Sequence, residues 1–284
     1  MGGLRAHPTR RVVFSSVFLV QSIVSYLTIL IIGFVAMVAM FALIWLLQWR
    51  IENAGIVDVF WGSTVGVVGL FYCIAINGLN GRSWLVGTLT AVWAARLSSH
   101  LWTRYKGHPE DKRYTALKQH WGNAAQFRMF RFYQMQALGA FLFSLAVFLA
   151  AKNDAPWAVS DLIGVVVWLI AVVGEAMSDR QLQKFKQDPN NKGEVCNNGW
   201  WRYSRHPNYF FEFLHWCSYV FLAFATPFWW LAFLMPAAMF FFLTKVTGIP
   251  LAEKQSVISR GDKYREYQRT TNAFFPWFPK TKAS

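Results

Sequence analysis

The chain is dominated by apolar runs of a length that belongs to bilayers rather than to soluble cores. Residues 12–49 are almost uniformly hydrophobic, and as one helix these 38 residues far exceed a hydrocarbon thickness of ~30 Å. The expected arrangement is an embedded or interfacial lead-in to about Ser25 and then a span to Trp49, with two crossings inside this stretch left open. Further spans are predicted at 54–77, 83–103, 133–151, 157–178, 207–225 and 228–247, seven in all. The expected fold class is therefore all-α: one polytopic domain with a lead-in (1–25), a transmembrane bundle (26–247) and a tail (248–284).

The charge pattern orients this bundle. A net charge of +14 could suggest nucleic acid, but the cations sit between the apolar spans, where topology places them, and nucleic acid is not an expected partner. Lys and Arg number seven in 104–131, six in 179–206 and eight in 245–284, against one each at Arg82 and Lys152 in the intervening connections. By the positive-inside rule the three rich segments are cytosolic, which gives a polar site open to that side. Arg5, Arg10 and Arg11 oppose this scheme, and a second crossing within 12–49 would remove the conflict. Three cysteines without CxxC spacing and six histidines without an HExxH pattern imply neither a disulfide framework nor a metal centre. No Rossmann glycine motif, P-loop or GxSxG elbow occurs, so any nucleotide is bound by other means.

Polar residues inside the apolar spans are costly and therefore informative. At 199–217 the chain reads GWWRYSRHPNYFFEFLHWC. Pro207 suits the first position of a helix, and Arg205 and His206 just before it suit an anion. Asn208 and Glu212, four apart, share a face just inside that helix. Glu175 and Asp179 in GEAMSDRQLQKFK repeat the spacing, with Lys186 seven further on. They could accept hydrogen bonds from a ribose or an adenine amine, with Lys186 near a phosphate, or could simply flank a helix leaving the membrane. Trp93, Arg96 and His100 lie on one face of the third span, and Arg96 is expected to face inward towards an anionic partner. Asp58 is expected to be the most deeply buried acid, and either to carry its proton and donate a hydrogen bond or to pair with Arg96. RYKGHPEDKRY, with Glu110, Asp111, Arg113 and Tyr114 close together, reads on spacing alone as a solvated loop.

RYSRHPNYFFEFLHW, together with EDKRY, EAMSD and the tail's KYREYQRTTNAFFPWFP, resembles the steroid 5α-reductase-like membrane family, in particular its bacterial branch, over roughly residues 50–280, which implies a bacterial plasma membrane as its location. RHPxY alone is less specific, because isoprenylcysteine-type and other lipid methyltransferases share it. The resemblance implies an NADPH-dependent reductase whose nucleotide enters from the cytosol under the basic loops, while a hydrophobic, steroid-like enone enters from the bilayer. Asn208 and Glu212 would then hold the nicotinamide carboxamide, with Tyr209 of the same motif beside them, and Glu175 and Asp179 would meet the adenosine half. Arg202, Arg205 and His206 would lie near the phosphates, as would Arg113 with Asp111 and Tyr114, and Lys254 and Tyr264 would close over the cofactor.

The pattern departs from the animal enzymes at their catalytic Gln-Glu pair and third-span Tyr, where this chain has Val57-Asp58 and Trp93. The acid survives in kind and the phenol does not, so Asp58, Trp93 and His100, the last standing in for the phenol, form the expected catalytic group. The implied reaction is reduction of the C4=C5 bond of a 3-oxo-Δ4-steroid or similar enone by a monomer among membrane lipids. The rival reading is an S-adenosylmethionine-dependent membrane methyltransferase.

Overall fold

The computed structural model describes residues 8–78 and 81–280, with side chains described from residue 24 onward except Asn77. All regular structure among the described residues is helical. Five helical stretches are long and apolar enough to cross a bilayer, at Val24–Ile51, Ile56–Ile76, Lys112–Ala151, Val159–Gln187 and Trp229–Arg260, and the protein is membrane-embedded. The count of seven also takes in α3, which carries Arg96 mid-helix, and the 17-residue α7. The chain divides into two compact units, Met1–Ala151 and Lys152–Ser284.

The first unit contains α1 (Pro8–Ile51), α2 (Ile56–Asn77), α3 (Gly81–Tyr105), α4 (Lys112–Trp121) and α5 (Ala125–Ala151). Helix α1 is unbroken for 44 residues, about 66 Å, so the stretch 12–49 holds no turn for a second crossing. Small residues set the packing, as expected where lipid competes equally for apolar side chains. A Cβ on Gly66 would lie 2.5 Å from the Ala94 side chain of α3, and one on Gly69 3.0 Å from Val147 of α5. A serine pair, Ser63 and Ser98, joins α2 to α3 at 2.7 Å.

The second unit contains α6 (Val159–Gln187), α7 (Pro207–Ala223), α8 (Leu234–Phe241), α9 (Ile249–Arg260) and α10 (Asp262–Thr270), with a π turn at Phe242–Val246. Helices α6 and α7 approach closely because Gly164 faces Leu222 and Gly174 faces the Phe211 ring, where a Cβ would meet atoms at 2.8 and 2.4 Å. Asn153 donates to the carbonyls of Leu222 and Phe224, both at 2.8 Å, and so closes the C-terminal end of α7. Helix α6 runs beyond its predicted end at 178, carrying the EAMSD motif as a continuation of the helix.

Candidate functional site

Both units carry polar clusters. In the first, EDKRY docks onto the α1–α2 corner and is not a solvated loop. Asp111 caps α4 by accepting from the Arg113 amide at 2.9 Å. Its carboxylate takes Nε and Nη2 of Arg113 at 3.1 and 3.0 Å, and the same Nη2 reaches Asp58 at 3.3 Å. Tyr114, buried, donates its hydroxyl to Asp58 at 2.8 Å. Glu110 accepts from the Ala54 amide at 2.6 Å and from Lys118 at 2.7 Å, which fixes the loop to the chain just before α2. Burial acts to raise the Asp111 carboxyl, but the hydrogen bonds and charge of Arg113 outweigh it and hold the group below the usual carboxylate range.

Two expectations change here. Asp58 is not the most deeply buried acid: it sits in the first turn of α2 with 43% of its side chain exposed, whereas Asp161, Glu175, Asp179 and Glu212 are buried. Its partners are Arg113 and Tyr114, not Arg96, and it accepts a hydrogen bond from each. The hydroxyl beside it belongs to Tyr114 of α4. Trp93 is fully buried in α3, and Arg96 and His100 are half-buried along the same helix.

In the second unit the sequence pairs converge. Glu175 and Asp179 on α6 are 5% and 7% exposed, and Glu212 on α7 is 9% exposed. Asn208 donates to Asp179 at 3.3 Å across the helix pair, and Trp216 donates its indole N–H to Glu212 at 2.9 Å. Three buried carboxylates and an amide thus lie on the paired helices α6 and α7. Lys186, the third member of the α6 stripe, is exposed, as are Arg202 and Lys254.

The loop 199–206 is braced from both sides. Trp201 donates to the Ser178 carbonyl at 2.9 Å, and Gln181 accepts from the Trp200 amide at 2.9 Å. Arg205 is placed differently from its expected phosphate role. Its side chain is 11% exposed, and its donors reach Glu253 at 2.6 Å, the Gln268 carbonyl at 3.1 Å and the Thr271 carbonyl. His206 stacks on Tyr209 and meets the same Glu253 at 3.2 Å, and Gln268 donates to the other oxygen at 2.7 Å. Tyr264 is buried near this knot, and burial followed by the Glu253 charge pushes its phenol up to about 12.

Glu253 is the residue that sequence reasoning missed. It stands one position before Lys254 in PLAEK, and its only signal was an acid in a basic tail. Trp216, unremarked in the 199–217 motif, anchors Glu212.

Burial holds the His206 imidazole below its ordinary value of 6.5, against the upward pull of Glu253 and with the neighbouring Arg205 adding to the depression. The unfolded chain therefore binds more protons than the folded one as pH falls, so this residue's contribution is intact above about 6.5 and declines below it. Melting of detergent-solubilised protein between pH 8 and 5 should steepen in its fall below that point. His206→Gln should flatten the fall, and equal slopes for both proteins would contradict this account.

A membrane helix bundle with a carboxylate-rich cluster between two of its helices defines the class. The chain belongs to the family described as Protein of unknown function (DUF1295), which matches residues 44–271 and falls within the steroid 5α-reductase-like group of membrane enzymes. It is also similar to an uncharacterized protein of Schizosaccharomyces pombe (strain 972), 28% identical over 240 residues, or 73% of this chain and 67% of that one. No solved structure matches it.

Proposed function

We propose that the protein is an NADPH-dependent reductase of a conjugated C=C bond next to a ketone, with a 3-oxo-Δ4-steroid or similar hydrophobic enone as substrate. The observation that carries this reading is the meeting of Glu175, Asp179, Asn208 and Glu212 between α6 and α7. Acceptors gathered where lipid-facing helices would ordinarily exclude them suit a ligand rich in donors, as ribose hydroxyls, an adenine amine and a carboxamide are. Glu175 and Asp179 would hold the adenosine half, and Asn208 and Glu212 the carboxamide. The exposed cations Arg202 and Lys186 suit the phosphates, whereas Arg205 has its donors engaged by Glu253 and the tail.

NADPH, when bound, supplies the hydride. The chain's own part is to place the enone and polarise its carbonyl, because stabilising a developing oxyanion is usually the largest catalytic contribution. Asp58, Arg113 and Tyr114 are the group proposed for this. Asp58 serves as a positioning residue that holds a guanidinium and a phenol side by side, and the Arg113 side chain, 47% exposed, remains accessible to a substrate oxygen.

The first experiment is a thermal shift of purified protein with NADPH and with S-adenosylmethionine, then incubation with NADPH and testosterone or progesterone to detect the saturated ketone. Stabilisation by S-adenosylmethionine alone would favour the methyltransferase reading and end this one. Glu212→Ala should weaken NADPH binding by roughly 1.5–3 kcal/mol, the value of a hydrogen bond to a charged group. Unchanged affinity in that variant would remove Glu212 from the cofactor site.

A further inference from the structure

The tail segment after α10 presents an apolar edge that its own packing cannot cover. Phe274 is 5% exposed, held by Phe210 and Phe213 of α7 and Phe240 of α8 at ring separations of 6.0, 5.7 and 5.2 Å. Beyond it the pattern reverses: Trp277, three residues on, is 69% exposed and Phe278, four on, 73%. These rings are not on a loose end. The Trp277 amide donates to the Tyr203 carbonyl at 2.9 Å, the Lys280 amide to the Thr270 carbonyl at 2.8 Å, and Ser204 to the Phe274 carbonyl at 2.8 Å. Pro276 and Pro279 stiffen the segment on either side. The Phe278 ring meets only the edge of Tyr203, at 5.9 Å, and both rings stay largely exposed on a pinned backbone; a fixed apolar edge of this kind marks a contact surface.

Phe274 ties the segment to helices α7 and α8, and α8 lies within a stretch apolar enough to enter a bilayer. The aromatic edge therefore sits at the end of membrane helices, where Trp and Phe favour the interface between headgroups and acyl chains. Exposed Lys280 follows the edge directly, which complements anionic headgroups. We propose that Trp277 and Phe278 seat in the headgroup region of the bilayer that holds this chain, with Lys280 on its anionic lipids. The tail is then an interfacial anchor that fixes the height of the 199–206 loop through Tyr203, whose carbonyl it binds.

The test uses the full chain with Trp277→Cys, or in a second preparation Phe278→Cys, labelled with an environment-sensitive fluorophore and reconstituted into phosphatidylcholine–phosphatidylglycerol vesicles. The chain without the added cysteine reports labelling of the native thiols. Quenching by a lipid carrying a nitroxide near its headgroup should exceed quenching by aqueous iodide several-fold at both positions. Adding Lys280→Gln should lower that ratio in these vesicles and leave it unchanged in pure phosphatidylcholine. Dominant quenching by iodide would make the segment a solvated flap, and protection from both quenchers would mean that another protein surface covers it. Either result overturns the proposal.

Discussion

Glu253→Ala is expected to destabilise the protein by about 3 kcal/mol, at the lower end of the range for breaking a buried ion pair by removing one partner. One carboxylate receives Arg205 at 2.6 Å, His206 at 3.2 Å and Gln268 at 2.7 Å, and is 15% exposed at its side chain. Its loss leaves a guanidinium with 11% side-chain exposure held only by the Gln268 and Thr271 carbonyls. Those two bonds are why the expected loss sits at the bottom of the range. Glu253→Gln keeps an acceptor while removing the charge, and should cost clearly less than the alanine variant. Denaturation of the three proteins in one detergent measures this, and a loss below about 1 kcal/mol for Glu253→Ala would mean that the knot is incidental, as exposed ion pairs usually are.

Asp58→Leu should lower enone turnover by about 10²–10³-fold, or roughly 3–4 kcal/mol of transition-state stabilisation, while the thermal shift given by NADPH stays nearly as in the parent. The two readouts separate because Asp58 touches Arg113 and Tyr114 in the first unit, whereas the proposed cofactor acceptors lie in the second. Folding should lose about 1–3 kcal/mol for the buried Tyr114 hydroxyl left without its acceptor, and little more, since Asp58 and Arg113 are both nearly half-exposed and Arg113 keeps Asp111 as a bidentate partner. Tyr114→Phe removes only the hydroxyl that Asp58 accepts and keeps the ring against Phe132 at 5.9 Å. Turnover should fall in that variant too. If Asp58→Leu retained full turnover, the carboxylate would have no part in the chemistry.

Much of the fold is legible because membrane helices announce themselves by the length of their apolar runs, and most of the predicted spans have matching helices. The pairs Glu175/Asp179 and Asn208/Glu212 were legible for a related reason: spacing of four puts two side chains on one helical face, and a polar face within lipid demands a partner. That both pairs share one interface was not legible, because it depends on Gly164 and Gly174 letting α6 and α7 approach closely.

Sequence alone determined that this chain lives in a membrane, where its helices lie and which acids those helices cannot leave facing lipid. The reason is that hydropathy and helical period are local properties. Tertiary structure decided the partners. It gave Asp58 to Arg113 and Tyr114 rather than to Arg96, turned EDKRY from a solvated loop into a docked corner, and engaged Arg205 with a glutamate 48 residues away. Which cation meets which carboxylate depends on long-range contacts that no spacing encodes, and a solvated loop and a docked one share the same composition.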